Sequence, residues 1–372
     1  MGASHKVSEI GSLRFHSLTV PQNGNRPGIF SVNICERGFI INSEMARLGA
    51  SDIELLKGQS DLQIAGAFNE DPNARLSAMN SILMAPWANR MIGPVVDARG
   101  LTNVEVSFMG QRRLVPTNFE DTYRLHGLAY ANEYHDIWAH DLPSGGIALT
   151  GITEISSDQW FSDLWLRHSI GLNNGIMFRI VNVKNIGQQP APVSVGEHPY
   201  FRIPEGQDRG LISMQLPGVA TIRLGQDGNP DFDTNPLMPI RETAFWGLAA
   251  GFKNLGDLNL NNSFLLHPEM GVVSGDAGVL FGQAGYGIFL SSPTYGDTVN
   301  VVHAFAPLGT SHPADGKAVA LELQGNYLAP LHPIWEVYSP LRGVSGMHPS
   351  SMKILEPGDE MTWSVTHTVR GL

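Results

Sequence analysis

Period-two alternation of apolar and polar residues is the feature that most restricts the fold of this chain. Residues 102–110, TNVEVSFMG, place Val104, Val106 and Phe108 on one side and polar residues on the other. Residues 360–369, EMTWSVTHTV, alternate in the same way near the end of the chain. Successive side chains of a β-strand point to opposite faces, so both stretches are predicted to be half-buried strands.

Turn signals separate the alternating stretches: NNG at 173–175, QDGNP at 226–230 and EPGDE at 356–360. Charged residues make up only 16% of the chain, against about 25% in an average globular protein. The best helical pattern is ASDIELLKGQ at 50–59, with Ser51 or Asp52 as the N-cap. No repeat or composition break divides the chain. We therefore predict one all-β domain over residues 1–372, a large antiparallel β-sandwich.

The net charge of −11 repels phosphate backbones, so a nucleic-acid partner is not expected. No apolar run is long enough to span a membrane, and the N-terminus lacks a signal-peptide pattern. The default expectation is therefore a cytoplasmic protein without a membrane partner. The single Cys35 excludes an internal disulfide framework. Nothing in the sequence indicates an oligomeric state.

His198 lies in VSVGEHPYFRIP, residues 193–204. A residue before proline favours extended backbone, so His198 is predicted in a strand or at its end. Gly196 leaves space beside it, and Tyr200 and Phe201 supply apolar walls. Such a histidine is either a packed core residue or a positioned, partly desolvated proton donor.

Two further segments carry polar groups among apolar neighbours. His126 precedes Gly127 in RLHG, where glycine permits close approach of the backbone to a ligand. Asn89 and Arg90 lie in MAPWANRMIG and are candidates to point into a pocket, where Trp87 could offer a face to a sugar ring. The alternative is a surface arginine whose stem covers apolar area.

Glu336 follows two apolar residues, and desolvation beside them would raise the pKa of its carboxyl group. The simpler interpretation is a loop glutamate. A metal site is not predicted. His126, His135 and His140 cluster in sequence, but the spacing of the histidines in HDIWAH is not the i, i+4 pattern of a zinc motif.

Taken together and in this order, the segments resemble the aldose 1-epimerase (galactose mutarotase) family. APWANRMIG resembles its Asn-Arg segment, RLHG its first His-Gly, and GEHPYF its longest signature. EVYSPLRG followed by ILEPGDE resembles its C-terminal glutamate and Pro-Gly-acid turn. The resemblance covers residues 80–368. It implies an all-β supersandwich, no cofactor, and interconversion of the α and β anomers of a free sugar such as a hexose.

The resemblance also implies roles for individual residues. Glu336 would be the general base and His198 the general acid. The residues that would hold the sugar are His126, Arg90, Asn89 and Asn261. Asn261, in LNNSF, stands where the family usually has an aspartate that grips two sugar hydroxyls, and an amide brings no charge there. These side chains are expected to converge on one open cleft.

Glu322 competes with Glu336, because ALELQGNY resembles the family's Glu-x-Gln. Glu336 is preferred since its distance to EPGDE fits the family, and residues 307–335 are interpreted as an inserted excursion. Two other functions stay open. One is a non-catalytic carbohydrate-binding domain. The other is a sugar-phosphate epimerase, which would need basic residues at the pocket mouth, whereas alternation sends Arg112 and Arg113 to opposite strand faces.

Overall fold

The computed structural model describes residues 2–22, 26–70, 80–98, 100–119, 121–266 and 276–372. The strands of this part are, in chain order, β1 Ser4–Ile10, β2 Leu13–Thr19, β3 Gly28–Cys35, β4 Ile40–Leu48, β5 Ser51–Glu54, β6 Ile82–Met84, β7 Arg90–Met91, β8 Val95–Ala98, β9 Leu101–Phe108, β10 Gln111–Pro116, β11 Arg124–Leu125, β12 His135–Asp141, β13 Ile147–Ile155, β14 Leu164–Asn173, β15 Ile176–Asn185, β16 Ala191–Val193, β17 Gly196–His198, β18 Tyr200–Arg202, β19 Ile212–Gln215, β20 Ala220–Ile222, β21 Leu237–Pro239, β22 Lys253–Asn254, β23 Leu260–Leu265, β24 Ala277–Phe281, β25 Tyr286–Ser291, β26 Val301–Ala306, β27 Ala318–Gln324, β28 Lys353–Leu355 and β29 Glu360–Gly371.

Helices are short and few in the described residues. The α-helices are α1 Asp61–Glu70, α2 Trp246–Ala250 and α3 Ile334–Tyr338, and single 3₁₀ turns occupy Arg37–Phe39, Ala129–Ala131, Arg209–Leu211 and Ile240–Glu242. None of these helices is long and apolar enough to cross a lipid bilayer.

Two large antiparallel sheets form the body of the fold. The nine-stranded sheet has the order β12-β13-β14-β15-β29-β25-β24-β19-β22. The eight-stranded sheet has the order β21-β20-β23-β26-β27-β17-β6, with β18 also paired to β27. A five-stranded sheet, β1-β2-β3-β4-β5, precedes them in the chain. Apolar side chains from all three sheets, such as Val32, Leu321 and Val365, belong to one buried core. The predicted fold class, a large antiparallel β-sandwich, is confirmed.

The alternating stretches have the predicted burial. In β9, Val104, Val106 and Phe108 are buried and Ser107 is exposed. In β29 the apolar members of EMTWSVTHTV are buried, and His367 is buried with them. The turn at 173–175 joins β14 to β15, with Gly175 at φ 81°. A hairpin turn of this kind requires positive φ, which glycine adopts without a steric penalty.

The predicted helix at 50–59 is wrong. Ser51–Glu54 is strand β5, which pairs with β4, and the nearest helix begins at Asp61. The pairing carries an ion pair between Arg47 Nε and Asp52 Oδ1 at 2.7 Å. Local helical spacing is a weak preference, and hydrogen bonding to a neighbouring strand overrides it here.

The interpretation of residues 307–335 as an inserted excursion is also wrong. The stretch contains β27, every residue of which is buried. β27 lies between β26 and β17 in the eight-stranded sheet. Both faces of β27 are covered, so Glu322 and Gln324 are buried together with the apolar residues of the strand. Polar residues in a short stretch rich in Pro and Gly are more typical of an exposed loop, which is why the sequence misled. Glu322 therefore lies on a buried strand of the eight-stranded sheet.

Candidate active site

The site is built on one face of the eight-stranded sheet. Ser263, His303 and Glu322 lie directly opposite one another across β23, β26 and β27. His198 ends β17, the next strand of the sheet, and reaches Glu322. Because strand neighbours in register point to the same side, these polar groups form a row on one face. Asn261 lies two residues before Ser263 and shares that face.

The centre of the row is a histidine–carboxyl pair. His198 Nε2 lies 3.0 Å from Glu322 Oε1. Gln324 Nε2 donates a hydrogen bond to Glu322 Oε2 at 2.9 Å. A Cβ at Gly196 would lie 3.1 Å from the Gln324 Cβ and 3.0 Å from the Ala88 Cβ. Glycine at 196 thus leaves the room that the pair and its supporting amide require.

The electrostatic setting suits a general base. Burial raises the pKa of the Glu322 carboxyl well above its ordinary value, and the nearby Glu197 carboxylate raises it further. Arg90 and the Gln324 hydrogen bond act in the opposite direction. Glu322 is fully buried, so its charged form gains little from solvent. Such a carboxylate is a stronger proton acceptor than an exposed one.

His126 follows strand β11, and its ring contacts the His198 ring. Its backbone N–H donates to the Asn89 carbonyl at 2.9 Å. Its ring stands perpendicular to that of His198, with centroids 4.9 Å apart. Gly127 has φ +71°, and a Cβ there would lie 2.2 Å from the Ala85 carbonyl oxygen. The close approach at this glycine is to the Ala85 backbone, not to a ligand as the sequence suggested, and it holds the segment that carries His126 in place.

Arg90 lies beside the row on β7 and is half-buried. One guanidinium nitrogen, Nη1, donates to the Gly228 carbonyl. The other, Nη2, is 3.5 Å from Asn261 Oδ1. Burial lowers the pKa of Arg90, while the carboxylates of Glu322 and Asp227 oppose this effect. The arginine is thus a charged donor at the edge of the histidine–carboxyl pair.

His303 is a site residue that sequence reasoning missed. Its Nε2 lies 3.2 Å from Asn261 Oδ1, and its Nδ1 lies 2.9 Å from Ser263 Oγ. Burial lowers the pKa of His303 well below its ordinary value, and the positive groups Arg90 and His198 lower it further. The imidazole is therefore neutral. The only available signal was a histidine inside the apolar run VVHAF, which is also typical of a core residue.

Aromatic rings support His198 on its other side. The Tyr200 ring stacks on the imidazole with centroids 4.6 Å apart. Phe305 and His312 extend this wall, with ring centroids 4.8 Å apart. Tyr200 supplies the apolar wall expected from the sequence, whereas the Phe201 ring packs against His367, with centroids 5.5 Å apart. The wall thus packs against one face of the imidazole.

The opposite face of β17 carries a buried ion cluster. Glu197 Oε1 lies 2.7 Å from His367 Nε2, and His367 Nδ1 lies 3.0 Å from Glu44 Oε1. Arg179 Nη1 is 3.5 Å from Glu197 Oε2. Burial alone would lower the pKa of His367, but the two carboxylates outweigh it and raise the pKa to about 10. Of these adjacent residues of β17, His198 thus lies in the site and Glu197 in the cluster, and the Glu197 carboxylate also raises the pKa of Glu322.

The structure does not bring Glu336 to this site. Glu336 lies on α3, its side chain is 59% exposed, and its carboxylate is 3.8 Å from His348 Nε2. Glu322 holds the place beside His198 that was expected for Glu336. Trp87 is also not placed to face a sugar, because it is fully buried and stacks on Trp160 with centroids 4.9 Å apart.

The other predicted residues come together as a nearly closed cluster. His198, His126, Asn89, Arg90 and Asn261 are linked to one another by the contacts above. The cleft is less open than expected, since His198 is only 5% exposed and His126 6%. Part of the cover is the turn 225–229, which is braced by a hydrogen bond from the Gly225 N–H to the Asn229 carbonyl at 2.7 Å. Its Gly228 is the residue that contacts Arg90.

In the described part of the chain, no group of three or more His, Cys, Asp or Glu side chains is arranged to hold a metal ion. His135 and His140 are exposed on β12, whereas His126 is buried against Met84 and His198. The three histidines that cluster in sequence are thus not a cluster in space.

Comparisons with known proteins identify the fold. No protein-family model and no curated protein matches the chain. A galactose mutarotase-like protein from Clostridium acetobutylicum superimposes with a TM-score of 0.69 at 13% identity, covering 100% of this chain and 99% of that one. Galactose 1-epimerase from Lactobacillus acidophilus gives 0.67 at 12% identity, with 99% and 98% covered. An aldose epimerase homologue from C. elegans gives 0.66 at 13% identity, with 93% and 96% covered. The chain therefore has the galactose mutarotase-like fold that its motifs indicated.

Proposed function

We propose that this protein is an aldose 1-epimerase-like enzyme that interconverts the α and β anomers of a free sugar. The proposal rests on the contact between His198 Nε2 and Glu322 Oε1 at 3.0 Å. Ring opening needs a base for the anomeric hydroxyl and an acid for the ring oxygen. These two oxygens share one carbon, so an imidazole and a carboxyl group side by side can serve both.

The proposed step balances without a co-reactant. The Glu322 carboxylate takes the proton of the anomeric hydroxyl, a carbonyl forms at that carbon, and its bond to the ring oxygen breaks. The His198 imidazolium gives a proton to the ring oxygen. Rotation about the adjacent carbon–carbon bond presents the other face of the aldehyde. The reverse transfers then close the ring as the other anomer and restore both side chains.

Glu322 is proposed as the base in place of Glu336. Its buried carboxyl group has a raised pKa and touches His198, whereas Glu336 is mostly exposed. A base is most effective when its pKa is tuned toward the working pH. The residues proposed to hold the sugar are His126, Arg90, Asn89 and Asn261. The turn 225–229 has to move for a sugar to reach Arg90, because Gly228 occupies one of its donors.

The test is a mutarotation assay on a panel of free sugars. The interconversion of the α and β anomers is measured by polarimetry or by the exchange between their anomeric proton signals, and the spontaneous rate is subtracted. We expect catalysed exchange by the wild-type protein. We expect a loss of about 10²-fold or more in His198→Asn, because general acid–base contributions are of that order. If a sugar binds and its exchange is not accelerated, the fold serves as a carbohydrate-binding domain and the proposal fails.

A further inference from the structure

We infer that Arg90 and Asn261 form a donor-only subsite that selects sugars carrying a carboxylate over the matching neutral sugars. The inference rests on the proposed function for its kinetic test and names the substrate class of that site. It also has a binding test that does not depend on turnover. Its basis is a chain of hydrogen bonds whose directions follow from the donors and acceptors of each side chain.

The chain begins at Arg90, whose guanidinium can only donate. The side-chain atom of Asn261 that faces Nη2 at 3.5 Å must therefore be the amide oxygen. The same oxygen lies 3.2 Å from His303 Nε2, and an oxygen can only accept, so Nε2 carries the proton. Nδ1 of the neutral ring is then the acceptor, and the Ser263 hydroxyl donates a hydrogen bond to it at 2.9 Å.

The consequence is that the amide oxygen of Asn261 is fully used inside the protein. The part of this half-buried side chain that can meet a ligand is its nitrogen, which carries two N–H donors. Within the described residues, no carboxylate lies within ion-pairing distance of Arg90. Glu322 and Asp227 act on the guanidinium only from farther away. This side of the site thus presents one positive charge and donors.

The present partner of Arg90 shows what a substrate has to displace. Nη1 donates to the Gly228 carbonyl, and a sugar must replace this contact to bind there. A sugar hydroxyl is not a better acceptor than a peptide carbonyl. A carboxylate is, because charge-assisted hydrogen bonds are roughly twice as strong as neutral ones. A planar guanidinium beside an amide nitrogen also matches the two oxygens of a carboxylate.

A phosphate group fits less well. A phosphate dianion carries two negative charges, and the Arg90 guanidinium on this side of the site balances one of them. Arg112 and Arg113 line a cleft of about 880 Å³ together with Arg124, and that lining does not include His198 or Glu322. The subsite therefore matches a single carboxylate in charge and in number of donors.

The kinetic experiment compares kcat/KM for glucuronate against glucose and for galacturonate against galactose, with glucose 6-phosphate as a third arm. We expect the better uronate to exceed its neutral partner by about tenfold or more, the equivalent of one charge-assisted hydrogen bond. Asn261→Asp puts a negative charge beside Arg90 and should reverse the preference. The control Asn259→Asp adds the same charge at an exposed position and should leave the ratio unchanged.

Equal or better turnover of the neutral sugars by the wild-type protein would overturn the subsite and leave the proposed function standing. Preference for glucose 6-phosphate would also overturn it. If no sugar is turned over, calorimetric titration with the same sugars tests the carboxylate subsite independently of the proposed epimerase function. Tighter uronate binding that Asn261→Asp abolishes then supports the subsite while the proposed function fails. Binding without that preference removes the subsite as well.

Discussion

The Glu322 carboxyl group combines three properties of a general base: full burial, a raised pKa and a histidine neighbour at 3.0 Å. Each depends on its place in a central strand. Burial removes the solvent that would stabilise the charged form. In the proposed reaction, the neighbouring imidazole supplies the second proton that ring opening requires. Two predictions at the scale of single residues follow from this placement.

Replacing Glu322 by glutamine should lower the catalysed mutarotation rate by about 10² to 10⁴-fold, because the amide keeps the shape and cannot accept the proton. Glu336→Gln is the matched control and should stay within a few fold, since its side chain is 59% exposed. Polarimetry on the best sugar of the panel measures both. Loss of activity in Glu336→Gln with retention in Glu322→Gln would show that the base is assigned incorrectly.

The acid limb of the pH–rate profile should lie above the ordinary range of a glutamate, because the base must be ionised and the pKa of Glu322 is raised. Gln324 stabilises the carboxylate by a hydrogen bond of 2.9 Å. Gln324→Met should therefore raise this pKa further and move the limb to higher pH. The measurement is kcat/KM against pH, with the exposed Gln159→Met as control. If the acid limb does not move in Gln324→Met, the ionisation of Glu322 does not determine the pH dependence of kcat/KM.

At the scale of elements, β17 is the strand that couples the site to the rest of the molecule. His198 points to the site, and its neighbour Glu197 points to the buried cluster with His367 of β29. The two large sheets are thus joined by an ion pair directly behind the pair of His198 and Glu322. Glu44 of β4 brings the five-stranded sheet into the same cluster.

This cluster should make stability depend on pH. The pKa of His367 is raised from 6.5 to about 10 by folding. Its contribution is therefore fully present below pH 6.5 and is lost as the pH rises toward 10. His367→Gln should lower the free energy of unfolding at pH 7 by about 3–5 kcal/mol, because the buried carboxylates of Glu44 and Glu197 lose the charged histidine between them. It should also flatten the decline of stability at alkaline pH.

Denaturant titrations at pH 7 and pH 9.5 measure both effects, and His140→Gln, at an exposed position on β12, is the control. An alkaline decline of the same size in His367→Gln and the wild-type protein would show that His367 is not its source.

At the scale of the whole molecule, one apolar core runs from Leu18 to Val369 and includes side chains of the two large sheets and of the five-stranded sheet. Sheets that share a core are not independent units of stability. The prediction of one domain over residues 1–372 can therefore be tested by unfolding the chain. We propose that the chain unfolds as one cooperative unit.

The expected result is that denaturant curves from far-ultraviolet circular dichroism and tryptophan fluorescence coincide, since the 7 tryptophans would report the same transition as the strands. Limited proteolysis should yield no stable fragment. Two separated transitions, or a fragment that keeps its structure, would show that the chain consists of more than one domain.

The sequence by itself determined the strands that alternate and the neighbourhood of His198. Alternation in β9 and β29 is a local property, because each side chain is placed by its own strand's period of two. The proline after His198 favours extended backbone at that residue in the same local way. These features need no knowledge of distant residues, so they could be read before the fold was known.

The tertiary structure alone decided which glutamate meets His198. That choice depends on the register of β26, β27 and β17 across the eight-stranded sheet, which joins residues more than a hundred positions apart. A shift of one residue would turn Glu322 to the other face, and no local pattern in the buried run ALELQ specifies that register. For the same reason, the partnership of Arg90, Asn261 and His303 became visible only when the strands were placed side by side.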